Sequence, residues 1–434
     1  MNPPDFSFEL SSGDVQSYVR DVIEKTLMTV EGLDSSELIG PYSPRLNPLL
    51  WELTHSLWFL ERWTLREFED LPPHFDDVDW LYNSPEVRHG QRWAEDLVPF
   101  SEVETFASTL SDSLVKTLEN NNSPEFLYYT TYAVLHSDMH TEALTYQRQT
   151  RGLAAPPVNR SDNEEPPIEG SNLSGDVHHS GGKYPLGADQ SAPFAFDNEK
   201  WAHDVSVDPF ELSRTPVTNQ QFVQFVEAGG YENQSWWSDD GWQWLQQSGQ
   251  NSPRYWKKKN GEWYRRFFDN WQSLEPNHPV IYVNFYEAQA YCKWSDRRLP
   301  AEAEWELAAS GWTESNTTKR TYPWGDSAPD ETKANLDWTT GGTVDVGCYP
   351  DGDSRQGCRQ MIGNCWEWTQ SQFKPFPGFE PDFYKQYSQP WFGSRKVLRG
   401  GSWMTRSRLI RNGYRSFFTP DRNDIPAGFR TCSK

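Results

Sequence analysis

Leu135-His136-Ser137-Asp138-Met139-His140-Thr141-Glu142-Ala143-Leu144 lies inside a longer pattern, Pro124 to Thr150, in which apolar residues recur at helical spacing. Ser123 followed by Pro124 is a helix start signal. On that helix His136 and His140 stand one turn apart on one face, roughly 5–6 Å apart at Cβ, which suits neighbouring ligands on a single metal ion. An isolated HxxxH is as often a pair of solvated surface histidines. His55 changes that balance. It sits in LLWELTHSLWFLERW, Leu49 to Trp63, with Trp51 four residues before it and Trp58 three after it on the same face. Its ring is therefore expected to point into a bundle, where a buried imidazole needs a metal or a core carboxylate. Three imidazoles from two helices meeting in a bundle core are a recurrent way to build a metal site. Imidazole suits Fe, Zn, Cu or Ni alike, and three protein ligands leave positions open for substrate and oxygen. Glu142, two residues past His140 and off its face, is expected to support the ligands from outside.

Working outward, four stretches carry helical periodicity: Asp14 to Leu33, Pro48 to Phe68, Ser101 to Asn120 and Pro124 to Thr150. Ser12, Asn47 and Ser123 are the expected caps, and Asp70 to Pro99 is expected to cross irregularly between the second and third helices. Gly152 to Gly175 is rich in Pro, Asn, Ser and Glu and reads as a linker. From Val177 onward short strands and Gly, Trp and Asp turns dominate, with helices expected at Asn219 to Ala228, Tyr286 to Ser295 and Ala301 to Ala309. The expectation is an α+β chain: a helical metal-binding domain at 1–151, a linker at 152–175 and a mixed domain at 176–434.

Composition narrows the function classes. The 434 residues hold 40 Lys+Arg against 62 Asp+Glu, a net charge of -22 that repels a phosphate backbone and argues against nucleic acid as a partner. The 22 Trp, 24 Phe and 19 Tyr supply bulky core material although only 36% of residues are apolar. No apolar run approaches the roughly 20 residues needed to span a bilayer, so no membrane role is expected. The N-terminus lacks a basic region followed by an apolar one, as a signal peptide would have. Five scattered cysteines form neither a disulfide framework nor a CxxC site, and a reducing, cytoplasmic setting is expected.

PFELSRTPVTNQQFVQFVEAGGY, HPVIYVNFYEAQAYCKWSDRRLPAEAEWELAA, YPWGD, MIGNCWEWT, VLRGGSW and the closing AGFR resemble, in order, the formylglycine-generating (sulfatase-modifying factor, C-type-lectin-like) fold from Gly182 onward. Joined to a three-histidine helical domain, this resembles the EgtB-type sulfoxide synthases of ergothioneine biosynthesis and the related ovothiol enzymes. The resemblance implies a DinB-like four-helix bundle in which His55, His136 and His140 bind Fe(II). It also implies O2 as co-substrate and formation of a carbon–sulfur bond on a histidine-derived imidazole. The text around the ligands, with YNS and HGQRW, is most similar to the selenium branch, the selenoneine synthase (SenA) type and its histidine-using relatives. That likeness implies a selenosugar in place of a thiol donor, with histidine or trimethylhistidine as acceptor.

The chain departs from the family pattern around the substrates. Met139 stands where family members carry a substrate-contacting Gln, and Phe376-Pro377-Gly378-Phe379 replaces a Y-P-G-F segment with its catalytic tyrosine. Asn83-Ser84-Pro85-Glu86 lacks the tyrosines that another subgroup places in the bundle. Arg88 and Arg92 are the counterparts of an arginine pair that grips the donor, at altered spacing. Arg411-Asn412-Gly413-Tyr414 replaces R-N-W-D, which keeps Asn412 as a substrate contact and offers Tyr414 as a relocated catalytic phenol. Two other classes are weighed. A formylglycine-generating oxidase needs a cysteine pair after the RGGS motif, and here Met404 and Thr405 follow instead. A non-catalytic lectin-like binding module would leave three inward histidines without a purpose.

Overall fold

The computed structural model describes residues 10–93, 97–158, 173–313, 315 and 318–434. It is α+β and divides into two compact units, Met1–Val158 with Ser191–Phe194, and Asn159–Gln190 with Ala195–Lys434. Most of the expected linker, 159–172, lies outside the described residues.

The first unit is built on four long helices, Ser12–Met28, Leu49–Trp63, Phe100–Asn120 and Pro124–Arg151. The last is the central one. Most of its residues are buried on all faces, including polar ones such as Thr141 and Thr145, which return their hydroxyls to the carbonyls of Ser137 and Thr141 at 2.8 and 2.9 Å. Ser123 caps its start and Gly152, in the left-handed region at φ 71°, ends it. Phe194, from the short returning segment, packs its ring 5.5 Å from that of Tyr128 on this helix.

Four local expectations need correction. The first helix stops at Met28, short of Leu33, because the Thr29 hydroxyl bonds the Thr26 carbonyl and Arg148 takes the carbonyls of Thr29 and Glu31. Its cap is Ser11 rather than Ser12: Ser11 and Asp14 form a reciprocal capping box. The second helix breaks at Thr64, whose hydroxyl bonds back to the Leu60 carbonyl, and a separate turn, Leu65–Phe68, follows. Asn47 caps nothing; Pro48 occupies the N-cap, and the Asn47 amide donates to the Glu52 side chain. Within the crossing stretch lie two short helical turns, Asp79–Tyr82 and His89–Trp93.

The second unit has a four-stranded sheet in the order Ser416–Phe418, Lys396–Arg399, Trp366–Gln372, Ala427–Gly428, antiparallel except for the last pair. Helices Asn219–Glu227, Phe285–Trp294 and Glu302–Ser310 agree with the sequence pattern to within a residue. A fourth, Asp239–Ser248, was not expected; Ser238 caps it ahead of two aspartates. The quoted motifs serve this architecture. Arg430 grips Glu367 through Nε and Nη2, both at 2.7 Å, and Trp305 donates its indole N–H to the same carboxylate. This ties AGFR, NCWEW and AEAEWE together. Arg399 of the RGGS motif, fully buried, bonds Glu306 and Glu302 at 2.5 and 3.0 Å. Gly363 and Gly400, at φ 82° and 95°, turn where a Cβ would meet backbone oxygens at 2.6 and 2.7 Å.

All five cysteines are buried and none is in a disulfide. Among the described residues no helix is long and apolar enough to cross a membrane.

Candidate metal centre

His55 comes from the Leu49–Trp63 helix, and His136 and His140 from Pro124–Arg151. The rings meet: centroids lie 5.5 Å apart for His55 and His136, 4.7 Å for His55 and His140, and 4.5 Å for His136 and His140. One nitrogen from each ring falls within 4.8 Å of the others, and this is the only such His/Cys/Asp/Glu grouping among the described residues. Aromatic neighbours fix two of the rings. Trp51 lies parallel to His55 at 5.0 Å and 5°, Trp58 stacks at 6.0 Å, and Phe59 covers His136 at 3.7 Å and 17°.

Hydrogen bonds at the outer nitrogens set which nitrogen faces inward. His55 Nδ1 is 2.7 Å from the Tyr82 carbonyl oxygen, so it carries the proton and leaves Nε2 as a lone pair. His140 Nδ1 is 2.5 Å from Glu52 Oε1, which has the same consequence. The two Nε2 atoms of His136 and His140 are 3.3 Å apart. Two imidazole nitrogens bound at about 2.1 Å and near a right angle to one ion stand roughly 3 Å apart, so this spacing fits two cis ligands. Three imidazoles, two of them with outward-tied protons, are a chemically suitable set for a first-row transition metal.

The electrostatics favour neutral His55 and His136 and an ionised Glu52. Burial, reinforced by the charge of His140, pushes His55 down to about 3. Burial and the charges of His140 and His55 hold His136 well below its ordinary value. Burial works to raise Glu52, but the charge and hydrogen bond of His140, with the Asn47 amide, hold its carboxyl down at about 2. A base that folding keeps neutral contributes stability that is complete above its unfolded value, about 6.5 for histidine, and is lost as pH falls toward the folded one. Burial raises the carboxyls of Asp197 and Glu287 to about 7, and these add stability as pH falls, so the histidine contribution is read against a reference. Between pH 7 and pH 5 the urea midpoint of the metal-free chain should drop further than that of a His55→Gln, His136→Gln double variant, and an equal change in the two proteins would contradict the neutral, buried state of His55 and His136.

The remaining expected residues divide between the units. In the first, Met139 is half-buried beside His140, Glu142 is buried, Arg88 is exposed and Arg92 is half-buried. Arg92 donates from Nη1 to Asn47 Oδ1 at 2.7 Å and from Nη2 to the Ser84 carbonyl and hydroxyl at 3.1 and 3.0 Å. Phe376, Asn412 and Tyr414 belong to the second unit and are all buried. Arg415 lies 4.1 Å over the Phe376 ring, whose 4.6 Å neighbour is His203. Asn412 Nδ2 donates to the Arg320 carbonyl at 3.0 Å, while its Oδ1 has no hydrogen-bond partner among the described residues. Arg399 Nη1 donates to the carbonyls of both Asn412 and Tyr414, at 2.9 and 3.0 Å, and so fixes that segment. The residue missed from sequence is Glu52, which takes the His140 proton contact. Its signal was its place three residues before His55, on the face of the same helix.

A helical unit that gathers three imidazoles, joined in one chain to a second unit with its own buried ion-pair core, defines a two-domain protein with a mononuclear metal-site geometry. Residues 163–434 match the sulfatase-modifying factor enzyme 1-like domain family. The chain is 34% identical over 418 residues to a hercynine oxygenase of Mycolicibacterium thermoresistibile, covering 94% of this chain and 92% of that one. It is 36% identical over 417 residues to a hercynine oxygenase of Mycobacterium tuberculosis, covering 94% and 95%. A formylglycine-generating enzyme of Streptomyces coelicolor is 29% identical over 307 residues, 65% of this chain and 96% of that one. The chain belongs to the hercynine oxygenase family.

Proposed function

We propose that the chain is an O2-dependent non-heme Fe(II) oxidoreductase that joins a chalcogen to an imidazole carbon of histidine or trimethylhistidine. The observation that carries this reading is the convergence of His55, His136 and His140 with two of their outer nitrogens tied to Tyr82 and Glu52. The likeness to hercynine oxygenases along almost the whole chain supports an oxygen-using enzyme and a histidine-derived acceptor. Iron held by the three imidazoles supplies redox chemistry toward O2 and a template for two substrates.

The chain's own residues hold, orient and protonate. His55 and His140 keep their lone pairs inward because their protons are committed elsewhere. Asn412 Oδ1, a buried acceptor without a partner among the described residues, suits an imidazole or ammonium N–H. Tyr414 holds a phenol proton that Phe376, lacking a hydroxyl, has no means to supply. Arg88, exposed beside the His89–Trp93 turn, is suited to an anionic or polyhydroxy donor. Met139 offers a polarizable surface next to His140 where a Gln would offer hydrogen bonds.

The donor we favour is a selenosugar, with a thiol as the second reading. What supports it is the set of substitutions Met139, Phe376 and Gly413-Tyr414, which alter the substrate surroundings and leave the three histidines in place. The test is an aerobic assay with Fe(II), histidine or trimethylhistidine, and a panel of thiols and selenosugars, read by mass spectrometry. A selenium-bearing imidazole product supports the favoured donor, and a product with thiols only assigns sulfur. No product from any pair rejects the reaction. In the same assay Tyr414→Phe should lower kcat by about a hundredfold or more, the usual weight of a positioned proton donor, with little change in KM. A wild-type rate dismisses Tyr414.

A further inference from the structure

We propose that Arg92 is a positioning residue for the metal ligands rather than a contact of the donor, an inference that rests on the three-histidine metal reading. Its guanidinium reaches two of the three imidazoles by separate routes. The first is polar. Arg92 Nη1 donates to Asn47 Oδ1 at 2.7 Å, which fixes the orientation of that amide, so its NH2 points to Glu52 Oε2. Glu52 Oε1 in turn accepts from His140 Nδ1 at 2.5 Å. The second route is by stacking. The guanidinium lies 4.2 Å from the centre of the Trp51 ring, and Trp51 lies parallel to His55 at 5.0 Å. Trp51 is pinned by its own N–H to the Leu81 carbonyl at 2.8 Å, one residue before the carbonyl of Tyr82 that fixes His55.

Both terminal nitrogens of the fork are thus engaged. Nη1 serves Asn47 and Nη2 serves Ser84 twice, while the flat face covers Trp51. A planar guanidinium is suited to this double duty of edge hydrogen bonds and face stacking, which a lysine does not reproduce. To grip a donor carboxylate through both terminal nitrogens, Arg92 would have to loosen Asn47 and Ser84, and with Asn47 the orientation of Glu52. Arg88, four residues earlier and exposed, carries no such commitment to the ligands. Outer partners of metal-bound histidines typically change metal affinity by about 10–100-fold when removed.

The experiment titrates Co(II) alone into the metal-stripped full-length protein, following heat and the d–d absorption band. Wild type is compared with Arg92→Gln, Asn47→Leu, the double variant and His136→Ala. Arg92→Gln and Asn47→Leu should each weaken Co(II) binding at least about tenfold and shift the d–d band. The double variant should be no weaker than Arg92→Gln, because the polar route is already broken there. Affinities and spectra of both single variants that match wild type overturn the proposal while leaving the metal centre intact. Absence of Co(II) binding by wild type, or wild-type binding by His136→Ala, overturns the metal reading itself. If Arg92→Gln does not fold, Asn47→Leu decides alone, since it spares the stack on Trp51.

Discussion

His136→Ala should abolish both metal retention and turnover while the chain stays folded. His136 lies 3.3 Å from His140 through Nε2 and is held against the face of Phe59, so its removal takes away one ligand without loosening either helix end. The loss in affinity should exceed about a hundredfold, the upper range for losing an outer partner alone. Far-ultraviolet circular dichroism should be unchanged, because helix propensity favours alanine at this interior position. Metal content after purification and activity are the two readouts. A variant that retains one equivalent of iron and wild-type turnover removes the histidines from the reaction.

The second large effect concerns stability rather than chemistry. Arg399 is fully buried between Glu302 and Glu306 and also holds the carbonyls of Asn412 and Tyr414. Arg399→Met leaves two carboxylates facing a neutral side chain and two carbonyls without their donor. Breaking one side of a buried ion pair costs roughly 3–5 kcal/mol, more than most single substitutions. Arg415 and Lys319, which also bond Glu302 and Glu306, place the outcome at the lower end of that range. Urea or thermal unfolding measures it, and a change below 1 kcal/mol would show that the pair is replaceable by packing. Such a neutral result has precedent in other buried charge clusters, which makes this a discriminating measurement.

Much of this was legible from residues alone, for identifiable reasons. Helix-period spacing put His136 and His140 on one face, and the flanking indoles Trp51 and Trp58 turned His55 inward; the rings do meet. What escaped was the layer behind the rings. Glu52, which reaches His140 from the neighbouring helix, was not foreseen beside Glu142, whose place two residues past His140 and off its face points to the same supporting role. Asn47 read as a helix cap because Asn before Pro usually is one, yet its amide serves Glu52. The Tyr82 carbonyl could not be foreseen at all, since any residue carries a carbonyl and only the path of the irregular 70–99 stretch aims this one. Back-bonded threonines shortened two helices that periodicity alone would have extended. The Asp239–Ser248 helix hid in a Trp-rich run whose cap, Ser238, was the available clue.

The five buried cysteines have a consequence for a chain proposed to handle a reactive chalcogen. Burial pushes Cys358 up to about 11 and Cys432 up to about 12, and drives Cys292 and Cys365 further still in the same direction. Thiolates are the attacking form of sulfur, so at neutral pH these side chains are poor nucleophiles as well as inaccessible ones. An activated sulfur or selenium species, formed here as proposed, would meet no exposed cysteine, which disfavours its capture as a mixed disulfide or selenenyl sulfide.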